Sequence, residues 1–295
     1  MSRHFRPLVS ARLDLALNAA LPDISRRAAR RLIAAHAVLV NGRPIGVASR
    51  TVTPKDDVLV VDQEATIPIL SIGEDFMAVD KPSGLATQPM RERSHLSLSD
   101  LLSVQLKKAG LDSDLFVVHR LDYETSGVVL FGRTRPGAAR LSRLLTEKTM
   151  LKTYLAVVSG VIDGDITING AIDRESASSF MVSETGRPAE TRIRSVAVTY
   201  DISLVEATIG TGRTHQIRLH LEAIGHPVLG DPRYGAGKAA AASRLLLHSW
   251  RIEEPSLGRI EAALPEEFRS EMGRLGLPPE LPARISHRPS PRDDG

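Results

Sequence analysis

The sequence contains no cysteine. Disulfides, thiolate metal sites and thiol chemistry are therefore excluded together, and a reducing compartment suits the chain. No apolar run approaches the roughly 20 residues needed to cross a bilayer. Residues 1–10 lack the apolar stretch of a secretory signal. A cytoplasmic protein without a membrane partner is expected. The histidines are not set for a metal either: His215 and His220 do not have the four-residue spacing of a helical zinc pair. No internal repeat and no regular strand–helix alternation is visible, which argues against a doubly wound parallel sheet.

What is present suits two units. At 295 residues the chain is long for one core, and its 42% hydrophobic content is enough to build sizeable ones. The net charge is only +3, but it is unevenly spread. Residues 1–50 carry nine arginines (3, 6, 12, 26, 27, 30, 31, 43 and 50) against Asp14 and Asp23, a surplus of seven positive charges. A basic N-terminal unit on a near-neutral body points to a polyanion contact at that end.

That unit is placed at residues 10–62. Arg12 to Ala20 reads as a short helix. Ser25 is a good N-cap for a second, Arg26 to His36, whose apolar stripe is Ala28, Ala29, Leu32 and Ile33. Arg26, Arg27, Arg30 and Arg31 crowd the same helix, and an anionic partner would relieve their repulsion. Val38-Leu39-Val40 followed by Asn41-Gly42 signals a hairpin, with Arg43 just beyond the turn. Residues 63–68 read as a linker and 69–277 as the body. There, strands at 76–79, 128–131, 154–158, 193–198 and 202–209 alternate irregularly with helices at 98–108, 138–148 and 214–224. The pattern predicts an α+β fold with a mostly antiparallel sheet. Residues 278–295 are rich in proline, arginine and aspartate, and disorder is expected there.

Four segments of the body carry candidate chemistry. His119-Arg120-Leu121-Asp122-Tyr123-Glu124-Thr125-Ser126-Gly127 is a polar turn between two apolar runs, a place where a side chain can be presented rigidly. Taken alone, Asp122 there could equally be a turn-capping residue. Lys152-Thr153-Tyr154 opens a strand with one of only four tyrosines. In Gly210-Thr211-Gly212-Arg213-Thr214-His215-Gln216-Ile217-Arg218, Thr214 can cap a helix and leave Arg213, His215 and Arg218 as an anion site; the alternative is that Arg218 merely pairs with Glu222 one turn on. His226 to Gly235 reads as a structural loop, and Leu245-Leu246-Leu247-His248 as a buried strand near the same site.

Taken together these segments resemble the RluA family of pseudouridine synthases. His119-Arg120-Leu121-Asp122 with Thr125-Ser126-Gly127 is similar to the family's signature loop. Gly212 to Arg218 with His220 is similar to its second motif, Lys81-Pro82-Ser83-Gly84-Leu85 to its opening motif, and His226-Pro227 through Gly230-Asp231 follows in order. The resemblance spans about residues 10–270. Gln88-Pro89 departs from the His-Pro often found in the family. The N-terminal unit resembles an S-four-like RNA-binding domain, through Arg12-Leu13-Asp14, the helix after Ser25 and Val38 to Gly42.

The resemblance implies an isomerase that converts uridines of structured RNA to pseudouridine after base flipping, without cofactor or metal. It implies Asp122 as the catalytic carboxylate, Arg218 as its ion-pair partner and Tyr154 as the residue that stacks on the uracil and serves late proton transfer. Arg120 would fill the gap left by the flipped base. Arg213, His215 and Leu247 would line the substrate site, with Leu246 and Leu247 walling it against water. RNA contacts are expected from Arg26, Arg27, Arg30, Arg31 and Arg43. Large-subunit ribosomal RNA is the expected substrate, with transfer RNA as the alternative, and a monomer is expected. The competing readings are a non-catalytic RNA-binding factor of the same fold, and a phosphate- or metal-dependent hydrolase built on the glycine-rich segment.

Overall fold

A computed structural model describes residues 3–41, 43–60, 66–89, 97–176, 180–235 and 241–280. The N-terminal unit contains β1 (Arg3–Phe5), β2 (Ala11–Arg12), α1 (Leu13–Ala20), α2 (Arg26–Ala34), β3 (Val38–Val40), β4 (Arg43–Pro44), β5 (Thr51–Val52) and β6 (Val58–Val60). The body continues with β7 (Ile69–Ile72), β8 (Phe76–Lys81), α3 (Leu98–Lys108), β9 (Phe116–Val117), β10 (Ser126–Gly132), α4 (Arg135–Thr146), β11 (Leu151–Ser159), β12 (Asp165–Asn169), β13 (Ala171–Arg174) and β14 (Phe180–Ser183). It closes with β15 (Glu190–Val198), β16 (Ile202–Ile209), α5 (Gln216–Ala223), β17 (Leu247–Glu254), β18 (Gly258–Glu261) and α6 (Glu266–Arg274). None of the described helices is long and apolar enough to cross a membrane.

In the N-terminal unit, Ser25 caps α2 by accepting a bond from the Ala28 amide, as its residue type requires. A four-stranded sheet, β1-β6-β3-β4, lies against the helices. Strand alternation divides its side chains: Val38, Val40, Val58 and Val60 join the core with Leu17 and Ile33, whereas Leu39 and Leu59 join the body's core with Leu98, Leu101 and Leu102 of α3. One thin sheet is thus buried on both sides.

Two contacts lie at the edges of these units. Arg3, His4 and Phe5, ahead of residue 10, pair with Val60, Leu59 and Val58; three residues with two basic side chains give no apolar alternation to betray a strand. The end of the linker is docked. Gln105 on α3 donates to the Ile67 carbonyl and accepts from its amide, at 2.9 and 2.8 Å. The tail expected to be disordered falls almost wholly on residues 281–295, which lie outside the described residues, as does Gly42 of the hairpin turn.

The body is built on a ten-stranded sheet of order β12-β15-β16-β11-β17-β10-β8-β7, with β9 on β10 and β18 on β17. All its pairings are antiparallel except β10 with β17. β11 shows the two-sided burial: Tyr154, Ala156 and Val158 enter one core, Leu155 and Val157 the other, with Trp250, Phe268 and Met272. Helix α4 starts three residues earlier than periodicity indicates. The Thr134 hydroxyl accepts from the Gly137 amide, and a proline is tolerated in the first turn.

Candidate active site

The segment between β9 and β10 carries Asp122, and residues 81–87 hold its backbone at nearly every step. The Thr87 hydroxyl accepts from the Leu121 amide at 3.1 Å. The Gly84 amide and the Lys81 ammonium both donate to the Tyr123 carbonyl, at 2.9 and 3.2 Å. The Ser83 hydroxyl donates to the Glu124 carbonyl at 2.6 Å. Lys81 is fully buried and also donates to the carbonyls of Pro82 and Leu85, so three acceptors meet the three protons of an ammonium. Burial pushes its pKa down to about 7 against the pull of Asp122.

Behind the loop, Gly127 has φ +111°, and a Cβ there would lie 2.1 Å from the Ser249 carbonyl oxygen. Only glycine lets β10 run this close beside β17. Next to it, Arg244 donates to the Ser126 hydroxyl, leaving that hydroxyl to donate to His248 Nδ1 at 2.9 Å. His248 Nε2 then donates to the Ala262 carbonyl. The chain of donors fixes His248 as neutral, and burial lowers its pKa to about 4. His119 at the loop's start is likewise an acceptor, receiving the Leu130 amide on Nε2 at 2.9 Å; burial lowers its pKa to about 3.

Opposite the loop lies α5. Thr214 does not cap it. His215 occupies the N-cap position in the left-handed region, φ +55°, without a side-chain cap bond. The imidazole packs instead between Phe180 and Tyr234. His215 Nδ1 lies 2.8 Å from the Tyr234 hydroxyl and Nε2 lies 3.8 Å from Asp122 Oδ1. The segment before the helix is organised by Gln216, whose Oε1 accepts from the Thr211 hydroxyl and the Arg213 amide.

One turn into α5, Arg218 turns away from Glu222. It donates from Nη1 to Asp122 Oδ2 at 3.0 Å, and from Nε and Nη2 to the two oxygens of Asp231 at 2.7 Å each. Its guanidinium also sits 5.1 Å from the centre of the Tyr234 ring. Burial opposes its charge, but the two carboxylates win and raise its pKa. Asp231 is fully buried; burial would raise its pKa, yet Arg218 lowers it.

Asp122, Tyr154, Arg218, Arg120, Arg213, His215 and Leu247 all line one cavity of about 550 Å³. A second, of about 630 Å³, adjoins Asp122 from the other side and is bounded by Arg120, Gln88, Pro89 and Arg233. Tyr154 is buried, which raises its pKa, opposed by a bond with Ser249; its phenol is protonated at neutral pH.

Leu246 does not wall the cavity. It packs with Trp250 and Phe268 on the opposite side of the sheet, while Leu247 faces in, as successive residues of an extended chain must. No basic residue of the N-terminal unit lines either cavity. Arg26, Arg27, Arg31 and Arg43 are exposed. Arg30 is exposed as well, but it donates to Asp14, a fully buried carboxylate also held by Arg12.

Sequence reasoning assigns no role to three participants. Asp231 falls inside a recognised turn-rich segment, Tyr234 lies three residues on, and Lys152 passes for the opening residue of a strand. Asp231 does carry a signal: Gly230, φ +72°, precedes it where a Cβ would lie 1.8 Å from the Arg244 carbonyl oxygen. A loop pinned that tightly presents a side chain as firmly as the Asp122 loop does.

The chain resembles known proteins over most of its length. Residues 75–223 match the family described as RNA pseudouridylate synthase, and residues 11–58 match the S4 domain. The chain is 30% identical over 286 residues to ribosomal large subunit pseudouridine synthase D of Nitrosomonas europaea, covering 88% of this chain and 83% of that protein. It is 30% identical over 315 residues to the protein of the same name in Neisseria meningitidis serogroup B, covering 95% and 83%. Among solved structures, human RNA pseudouridylate synthase domain containing 1 superposes with a TM-score of 0.57 at 27% identity, over 69% of this chain and 84% of that one.

Proposed function

The chain belongs to the RNA pseudouridylate synthase family, and from that premise we propose that it isomerises uridines of large-subunit ribosomal RNA, with Asp122 as the reacting carboxylate. The relatives named ribosomal large subunit pseudouridine synthase support this choice of RNA over transfer RNA.

The reaction breaks the bond between uracil N1 and the ribose anomeric carbon, turns the base, and joins that carbon to C5, releasing the C5 proton. A duplexed or stacked uridine must first be extruded. The cavity beside Asp122 suits the extruded nucleotide. A carboxylate can hold one fragment covalently while the other turns. Asp122 reacts as the carboxylate, and the Arg218 contact at 3.0 Å is the observation that carries the proposal: it fixes the direction in which the carboxylate points. Tyr154 provides an aromatic wall for the base and a protonated hydroxyl for the closing proton transfer. Arg120, exposed and bordering both cavities, is placed to occupy the gap in the RNA. The same active-site set argues against a non-catalytic factor.

The test is tritium release from large-subunit ribosomal RNA transcribed with C5-tritiated uridine. Wild-type protein is expected to release label, and Asp122→Asn to release none while still binding the transcript. Turnover by the purified Asn variant would remove Asp122 from the reaction.

A further inference from the structure

Lys152 is a buried base with nothing to bind. It is 5% exposed, and among the described residues no side chain or carbonyl accepts a hydrogen bond from its ammonium and no carboxylate pairs with it. Its charged neighbour is Arg213, which lowers its pKa further after burial has done so, to about 8. A buried amine is ordinarily satisfied, as Lys81 is by three carbonyls. The unmet donors of Lys152 open instead on the cavity that holds Asp122 and Tyr154.

Its position says what it can meet. Lys152 and Tyr154 are alternate residues of β11, on one face and about 6.8 Å apart along the strand. The Asp122 loop leads into β10 at Ser126, level with His248, whereas Tyr154 is level with Ser249 and Lys152 with Ile252, so Lys152 stands farther along the sheet from the loop than the tyrosine does. The backbone leaves room for it: a Cβ on Gly212 would come within 3.1 Å of the Lys152 nitrogen. A uracil entering with its glycosidic nitrogen at Asp122 and its ring on Tyr154 points its C4 edge to this far end, since C4 lies across the ring from N1.

We propose that Lys152 donates a hydrogen bond to the C4 carbonyl of the flipped uracil and so separates uridine from cytidine. Cytosine carries an amino group at that position, which would set donor against donor. This inference rests on the synthase reading above and adds a specificity-determining residue to it.

Two measurements on the full chain test it. Lys152→Met keeps the aliphatic stem and removes the donors; single-turnover tritium release is expected to fall roughly tenfold or more, while the melting temperature holds or rises. With 13C-labelled lysine, the Lys152 Cε resonance, identified by its loss in Lys152→Met, is expected to move on adding uridine 5′-monophosphate and to stay in place with cytidine 5′-monophosphate or ribose 5-phosphate. Movement with ribose 5-phosphate would put the amine on a phosphate. Equal movement with both nucleotides would remove the discrimination. Either result overturns the proposal, as do an unmoved resonance with the uridine nucleotide, undiminished tritium release, or a lowered melting temperature with Lys152→Arg failing to restore turnover. Wild-type protein inactive on the transcript would sink the choice of RNA alone, because the nucleotide titration needs no turnover.

Discussion

Arg218 grips Asp231 with two nitrogens and offers Asp122 one. The fork to Asp231, 2.7 Å on both arms, leaves the guanidinium plane no freedom, so the third nitrogen is aimed before any substrate arrives. Asp231→Asn should loosen that aim. An amide replaces one of the two accepting oxygens with a donor, leaving the buried cation half-held. We expect stability to fall by on the order of 3 kcal/mol, and turnover by about 10²-fold with KM little changed. Urea melts and steady-state tritium release read the two effects separately.

Tyr154→Phe separates stacking from proton transfer. The ring and its place in the cavity wall remain, so RNA affinity should stay near wild type. Turnover should fall by roughly 10²–10⁴. Filter binding alongside single-turnover release checks both, and wild-type turnover in the Phe variant would confine Tyr154 to the role of a wall.

Acid should weaken the fold through His248. Its folded pKa, about 4, is depressed below the 6.5 of an unburied histidine. The stability from keeping it neutral is therefore full above about 6.5 and is lost progressively as pH falls toward 4. At pH 5 the unfolded state takes up a proton that the fold refuses, at a cost of about 2 kcal/mol. His248→Asn keeps an acceptor for Ser126 and cannot titrate. Wild type should lose about 2 kcal/mol more than this variant between pH 7.5 and 5, read by urea melts at each pH.

The arginines of α2 should divide into two classes. Arg26, Arg27 and Arg31 are exposed, with no ion pair among the described residues. Changing all three to glutamine should weaken RNA binding and reduce its salt slope by roughly one for each phosphate no longer neutralised. Arg30→Gln should instead cost about 1 kcal/mol of stability, because the buried Asp14 then keeps only Arg12. Salt-dependent binding curves and melts distinguish the classes.

The parts of the fold legible in the sequence are those whose information is local. Ser25 and the stripe behind it announce α2, and the polar stretch between Val118 and Val128 announces a presented loop. What stays hidden is set by distant partners. Arg3–Phe5 is a strand only because β6 has an open edge. Leu246 and Leu247 look alike in a leucine run and face opposite cores. Thr214 is the better cap by residue type, yet His215 holds the N-cap position and reaches the distant Tyr234. Asp231 carries no local mark of partnership with Arg218, because the turn that presents it and the helix that needs it are separate elements.

The lone parallel pairing in the sheet has a consequence for how the protein comes into being. Ser126 and Gly127 sit beside His248 and Ser249, so the strand that follows Asp122 finds its neighbour more than a hundred residues downstream. A chain still emerging from the ribosome holds Asp122 long before it holds the strand beside its loop. Pairings closed across so long a stretch form slowly. The sheet beside Asp122 is thus complete only once Leu247–Glu254 has been made.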